Sequence, residues 1–300
     1  MTEVRCPVCH SLKLGTKPFG YLFAERWLQA ISCSECGIIF LDPQPSAEEI
    51  AQLYSKEYFE GDFRCGHAGS YFNDESIGNI VDHPLLQRIR GFKPEGKFLE
   101  VGCAGGAFLH AAQDTGYAVR GVEFSDDAAQ LARDKFGLNV ITGDLQTARL
   151  PNDAFDVVFM GDVIEHLPDP AATLVEINRI TNEGGLLVLA CPTQTNTIFS
   201  RIGFLVYGLL GKKATINLPP YHLFEYRPDS LGRLLDRYGF KIIHARATMI
   251  HPKDIALRGT IAQRIGKKLF QYPNYLLTSL FGVLGDRIEI YATKRANSAQ

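Results

Sequence analysis

Several absences narrow the field. No apolar run approaches the roughly 20 residues that cross a bilayer. The longest candidate, Ile202 to Leu210, is nine residues long and contains two glycines. The opening MTEVRCPVCH lacks the apolar core of a signal peptide. An excess of one charge is missing too: 31 basic against 33 acidic residues leave a formal net charge of −2, so no overall basic field recruits nucleic acid. With 46% hydrophobic and 21% charged residues, the chain is neither wholly disordered nor collagen-like. Its 300 residues allow one large domain, or a medium domain with a small one.

The cysteines are not scattered as in a secreted disulfide framework. Four of the seven form two C-x-x-C pairs, Cys6/Cys9 and Cys33/Cys36, with 23 residues between the pairs. Each pair can fold into a knuckle aiming two thiolates at one point, and two knuckles complete a tetrahedral shell suited to zinc. Four thiolates leave no open position, so such a zinc is structural. The pattern predicts a reduced, cytoplasmic protein. After the second knuckle a strand enters a Pro-rich turn, and Ser46 with Glu49 has capping-box spacing. Residues 60–83 read as a linker with aromatic anchors.

The central segment alternates strands and helices. Lys97 to Val101 is a short apolar strand ending at Gly102-Cys-Ala-Gly-Gly106, where a helix begins. A glycine-rich strand-to-helix turn lets a ligand approach bare main chain. The next strand ends at Glu123, 21 positions after Gly102, where a ribose-binding carboxylate is expected. Further strands are predicted at Asn139–Thr142, Phe155–Met160 and Leu186–Ala190, with a helix over Asp126–Phe136. This alternation implies a doubly wound parallel sheet with its ligand at the carboxyl ends of the strands. Ala104 and Ala107 stand where a Gly-x-Gly-x-x-Gly dinucleotide fingerprint needs glycine, which counts against an NAD enzyme.

Five blocks in order, E-V-G-C-A-G-G, G-V-E-F, T-G-D-L, F-D-V-V-F-M-G-D-V-I-E-H-L-P-D-P and G-G-L-L-V-L-A-C-P, resemble class I S-adenosylmethionine-dependent methyltransferases. The cysteine knuckles and the later P-Y-H-L-F-E-Y-R-P-D-S-L segment resemble a zinc-ribbon subset of them. The resemblance implies a Rossmann-like α/β sheet of seven strands, the last antiparallel, with an N-terminal zinc ribbon and an inserted apolar lid. The expected divisions are a ribbon over 1–45, a helical and aromatic linker over 46–95, and a methyltransferase domain over 96–300 with a lid at 196–227. It also implies the cofactor's attachments. Glu100, Gly102, Ala104 and Gly106 would hold the methionine moiety, Glu123 the ribose hydroxyls, and Phe124 the adenine ring. Asp144, beside Leu145, would meet the adenine amino group, and Asp162 would face the sulfonium. Ala104 departs from the family's usual glycine.

Methyl transfer from a sulfonium needs mainly orientation, but an alcohol acceptor benefits from a base. His166 and His222 are the candidates. Asp162, Glu165 and His166, spaced i, i+3 and i+4, could alternatively share one helical face and ligate a cation. The expected acceptor is a sugar, polysaccharide precursor or lipid-linked hydroxyl. The alternatives are an RNA-binding methyltransferase gripping its substrate with the ribbon, and a non-catalytic scaffold. A basic stripe at Arg258, Arg264, Lys267 and Lys268, beside Leu257, Ile261, Ile265 and Leu269, leaves peripheral membrane contact open.

Overall fold

A computed structural model describes residues 3–46, 48–50, 83–216, 220–249, 252 and 261–296, the side chains at 194, 199 and 261–270 excepted. The aromatic linker, most of the helix expected after Ser46, and the side chains of the basic stripe lie outside the described residues. The start of that helix is within them. The Glu49 N–H donates to Ser46 Oγ at 3.2 Å and the Ser46 N–H to Glu49 Oε2 at 2.8 Å, the reciprocal pair of a capping box.

Strands β1 (Leu14–Phe23), β2 (Arg26–Cys33) and β3 (Ile39–Asp42) form an antiparallel meander carrying the two knuckles. The larger sheet contains β4 (Lys97–Val101), β5 (Ala118–Glu123), β6 (Val140–Thr142), β7 (Phe155–Gly161), β8 (Thr181–Pro192), β11 (Phe240–Thr248) and β12 (Arg287–Lys294). Its order is β11-β12-β8-β7-β4-β5-β6. From β8 through β6 the pairs are parallel, whereas β12 runs antiparallel to both its neighbours. β7 is buried along nearly its whole length, as a strand covered on both faces must be.

Helices α1 (Pro84–Phe92), α2 (Ala107–Asp114) and α3 (Asp126–Phe136) cover one face of this sheet, and α4 (Pro170–Ile180) and α6 (Pro228–Arg237) the other. Local signals set their ends. Ser125 accepts the Ala128 N–H at the start of α3, and Gly137 closes it with a left-handed φ of 64°.

The expected boundary between ribbon and lid is where the fold differs most from the sequence reading. The segment 196–227 contributes α5 (Ile198–Leu209), β9 (Ala214–Ile216) and β10 (Phe224–Glu225). Both of its strands join the meander, giving a five-stranded sheet in the order β10-β3-β2-β1-β9. β9 pairs parallel with β1 and β10 antiparallel with β3, so ribbon and insertion form one body. One face of this small sheet buries Phe19, Tyr21, Leu28 and Leu41 beneath α5, where Phe19 and Phe204 stack 4.7 Å apart. On its other face Cys6, Val8, Cys33 and Phe40 share a core with Leu99, Leu187 and Leu231 of the large sheet and α6. Pairing partners more than 170 residues apart in sequence leave no local periodicity to read.

Candidate active site

The glycine turn follows β4. Gly102 (φ 73°) and Gly106 (φ 80°) both adopt the left-handed conformation. A Cβ at Gly102 would lie 2.4 Å from Val163, and one at Gly106 would lie 2.6 Å from Leu138 and 2.7 Å from Ala132 Cβ. Gly106 therefore lets α2 seat against α3. Gly106→Ala should destabilise the fold by about 3 kcal/mol, the sum of left-handed strain and overpacking; a urea melt measures it. Ala104 also takes a left-handed φ of 46°, so the departure from glycine is absorbed by backbone strain.

Glu123 closes this turn. Its Oε2 accepts the Ala104 N–H and its Oε1 the Ser125 N–H, both at 2.8 Å. Burial raises its carboxyl above the usual range, against these donors, which draw it down. Glu100 is buried beside it, with Oε2 lacking any hydrogen-bond partner. Burial first, and the Glu123 charge second, hold Glu100 well above the carboxylate range. Phe124 presents an exposed ring, 62% accessible. Asp144 spends Oδ1 on the Thr147 N–H at 2.6 Å, which leaves Oδ2. The Leu145 side chain is buried in the core. Bare main chain, an orphaned buried carboxylate oxygen, an acid at the tip of β5 and an exposed ring beside it match what an amino-acid nucleoside requires.

The second cluster lies past β7. The i, i+3, i+4 expectation fails here. Only Ile164–His166 forms a 3-10 turn, and Asp162 precedes it with φ 55°. Asp162 is exposed and binds the Arg287 guanidinium from the start of β12 at 2.5 Å. His222 arrives in its place. Glu165, His166 and His222 each offer one ligand atom, all within 4.8 Å of one another. The chain around 221–226 is tied to this turn. Leu223 N–H donates to the Glu165 carbonyl at 2.9 Å, and His166 Nδ1 lies 2.6 Å from the Tyr221 carbonyl. The carbonyl can only accept, so Nδ1 carries the proton and Nε2 the lone pair.

Glu165 is 1% exposed and neither carboxylate oxygen has a hydrogen-bond partner. Burial, then the Asp162 charge, push its carboxyl well above the usual range. Burial lowers His166 and brings His222 down to about 3, with His166 and Arg287 adding to the effect on His222. Burial thus disfavours the protonated form of both imidazoles. Arg287 and Glu225 belong to this cluster and escaped sequence reading. Arg287 lies in none of the blocks quoted above, Glu225 lies in the P-Y-H-L-F-E-Y-R-P-D-S-L segment without a chemical signature of its own, and each is delivered by pairing of a distant strand. Beside His222 and Glu225, Phe19, Tyr21, Ile39 and Leu41 of the small sheet wall a small cavity.

The four knuckle sulfurs converge as their spacing predicted. Cys6 Sγ lies 3.6 Å from Cys36 Sγ, and Cys9 Sγ 3.5 Å from Cys33 Sγ. These gaps are too long for disulfides. Four thiolates at about 2.3 Å from zinc would stand about 3.8 Å apart, so the set fits that ion. Each knuckle ends in a left-handed residue, His10 (φ 60°) after the first and Gly37 (φ 78°) after the second.

Sheet order, glycine turn and acidic strand tip together define a class I methyltransferase. Residues 71–245 match the family model described as "Methyltransferase domain", and the chain belongs to that family. It is an S-adenosylmethionine-dependent methyltransferase, and the scaffold alternative falls away. A ubiquinone biosynthesis O-methyltransferase of Coxiella burnetii is 24% identical over 163 residues, covering 51% of this chain and 67% of that protein. One from Saccharophagus degradans is 26% identical over 159 residues, covering 49% and 64%. Among solved structures, a SAM-dependent methyltransferase from Archaeoglobus fulgidus aligns with a TM-score of 0.51 at 22% identity, over 79% of this chain and 97% of its own. That likeness concerns the fold. Among the described residues no helix is long and apolar enough to cross a membrane.

Proposed function

We propose that this enzyme methylates a hydroxyl oxygen on a lipid-linked metabolite or a sugar of that kind. The observation that carries the reading is the pair of buried imidazoles, His166 and His222, with rings 5.0 Å apart past the end of β7. His166 donates its Nδ1 proton to the Tyr221 carbonyl, and its Nε2 is the atom that would receive a hydroxyl proton. The O-methyltransferase relatives support oxygen as the acceptor atom. Leu205 and Leu209 on α5 and Leu210 just after it, with Leu276, Leu280 and Phe281 on α7 (Ile261–Phe281), are exposed apolar side chains. They favour an apolar or lipid-linked acceptor.

When bound, S-adenosylmethionine supplies a methyl group already activated by the sulfonium. Glu100, Gly102, Ala104 and Gly106 would hold its amino-acid end, and Glu123 would accept from the ribose hydroxyls. Phe124 would lie on the adenine, and Asp144 would accept its amino group through Oδ2, with the Leu145 main chain alongside. Asp162, held by Arg287, would border the sulfonium end. Cys6, Cys9, Cys33 and Cys36 would hold a structural zinc that fixes the small sheet, and through β10 the position of His222.

The test is an extract incubated with enzyme and methyl-labelled donor, read by mass spectrometry. One lipid-soluble product carrying a new O-methyl group is expected. His166→Gln should lower its formation by about 10²-fold or more, the usual worth of a positioned base, with donor binding by calorimetry unchanged. Label found only on nitrogen or carbon, or full turnover by the His166→Gln variant, would refute the reading.

A further inference from the structure

We infer that Lys17, Arg201 and Arg227 form an anion subsite that holds a phosphoryl group of the acceptor, as a phosphate or diphosphate ester. The inference deepens the proposed O-methylation by naming what the acceptor carries besides its hydroxyl. It rests on that reading for the identity of the bound molecule.

The three cations come from separate elements and meet where α5 covers the small sheet. Phe19 of β1 stacks on Phe204 of α5 at 4.7 Å. Lys17 precedes Phe19 by two residues, in a stretch where β1 leaves regular pairing between Thr16 and Gly20. The Gln29 amide fills that irregularity, donating to the carbonyls of Lys17 at 2.8 Å and Phe19 at 3.0 Å. Such an irregularity re-aims a side chain. Arg201 precedes Phe204 by three residues, about one helical turn. Its guanidinium is fixed on the turn before α5, donating through Nε to the Asn196 carbonyl at 3.1 Å and through Nη2 to Asn196 Oδ1 at 2.7 Å. Arg227 caps the start of α6, two residues after β10. The Thr195 N–H donates to the Glu225 carboxylate, which ties the turn before α5 to β10 and so brings Arg201 and Arg227 together.

Donors in this cluster lack acceptors. Arg227 Nε and Thr195 Oγ1 are buried without a hydrogen-bond partner, Thr195 being 3% exposed. Among the described residues no carboxylate forms an ion pair with Lys17, Arg201 or Arg227. The nearest acids are engaged elsewhere: Asp229 binds Arg233 at 3.0 Å, and Glu225 takes the Thr195 N–H. Buried donors left unsatisfied are costly, and one oxyanion satisfies several of them at once.

The charges agree with the geometry. Burial, then the Arg227 charge, lowers the Lys17 ammonium from its usual range. Burial, then the Arg201 charge, lowers Arg227, against Asp229 and Glu225, which raise it. Like charges gathered without a counter-ion are compensated by an anionic ligand. Two planar guanidiniums and an ammonium suit the several oxygens and spread charge of a phosphoryl group.

The subsite adjoins the acceptor end. Phe19 and Glu225, close in sequence to Lys17 and Arg227, wall the small cavity beside His222. A phosphoryl group held here would anchor the acceptor away from the reacting centre and orient its hydroxyl toward the imidazoles.

The test reads binding apart from activity. Zinc-loaded protein saturated with S-adenosylhomocysteine, which fills the donor pocket, is titrated with inorganic pyrophosphate by calorimetry. Wild type should bind one pyrophosphate per chain. Lys17→Gln and Arg227→Gln should each bind it at least about 10-fold more weakly, the worth of one hydrogen bond from a charged group. Lys241→Gln, on the exposed edge strand β11, should bind it as wild type does. Retained S-adenosylhomocysteine binding shows that each variant is folded. If wild type takes up no pyrophosphate, or if Lys17→Gln and Arg227→Gln bind it undiminished, the subsite does not exist. The methyl-labelled product from the extract is the second readout, and it should contain phosphorus. Its recovery in the organic or the aqueous phase tells a lipid-linked ester from a soluble one, and either supports the subsite. An O-methylated product without phosphorus, or label recovered in RNA, would overturn the inference. A phosphorus-bearing product methylated only on carbon or nitrogen would overturn the proposed O-methylation and leave the subsite standing.

Discussion

Glu123→Ala should weaken S-adenosylmethionine binding by about 10²-fold or more, which isothermal calorimetry will measure. The carboxylate has two tasks. It accepts the N–H groups of Ala104 and Ser125, one on each oxygen, and so pins the glycine turn to the start of α3. In the proposed arrangement, each oxygen's second lone pair would take a ribose hydroxyl. A hydrogen bond to a charged group contributes about 1.5–3 kcal/mol, so losing two costs about 3 kcal/mol at the lower end, which corresponds to two decades in affinity. The loss of the turn's anchor adds to this. Glu123→Gln is the sharper variant. Its NH2 would confront either the Ala104 or the Ser125 N–H, donor against donor, so it should not restore affinity. An unchanged dissociation constant for either variant would mean that the donor does not lie across the tip of β5.

Removing the zinc proposed for the four-cysteine cluster should abolish methyl transfer and lower the melting temperature by more than about 10 °C, while donor binding survives. A zinc ribbon on a free linker would melt alone and leave the rest untouched. Here Cys6 and Cys33 lie in the same core as Leu99, Leu187 and Leu231. The Arg233 guanidinium of α6 also donates to the Glu35 carbonyl in the second knuckle at 3.0 Å. Structural zinc supplies folding free energy directly, about 10 kcal/mol or more in small peptides. A loss of about 5 kcal/mol shifts the melting point of a chain this size by about 10–20 °C. The activity falls for a separate reason. β10 is held to β3 by Phe224–Phe40 and Glu225–Ile39 pairing, and His222 stands two residues before it. Cys36→Ser should reproduce the effect of chelation. A variant with normal turnover but a metal-free cluster would detach the small sheet from catalysis.

The two ends of the site differ in how readable they were. The donor end is local. The glycine turn, Glu100, Glu123, Phe124 and Asp144 each sit at the tip of a strand, and strand-to-helix turns write their identity into neighbouring residues. The cysteine cluster is equally legible, because two knuckles need only their own spacing. The acceptor end is not. The helical i, i+3, i+4 face expected from Asp162 does not form, since the turn is 3-10 and Asp162 binds Arg287 instead.

The sequence alone therefore determined everything that depends on short-range order: the alternating strands, the capped helices, the bare main-chain cradle and the four thiolates. The tertiary structure decided that ribbon and insertion share one sheet, that Arg287 claims Asp162, and that His222 stands beside Glu165 and His166. The physical reason is separation along the chain. Hydrogen bonds between strands such as β1 and β9 specify a partner by packing and register, and no periodicity in either segment records which partner it will meet.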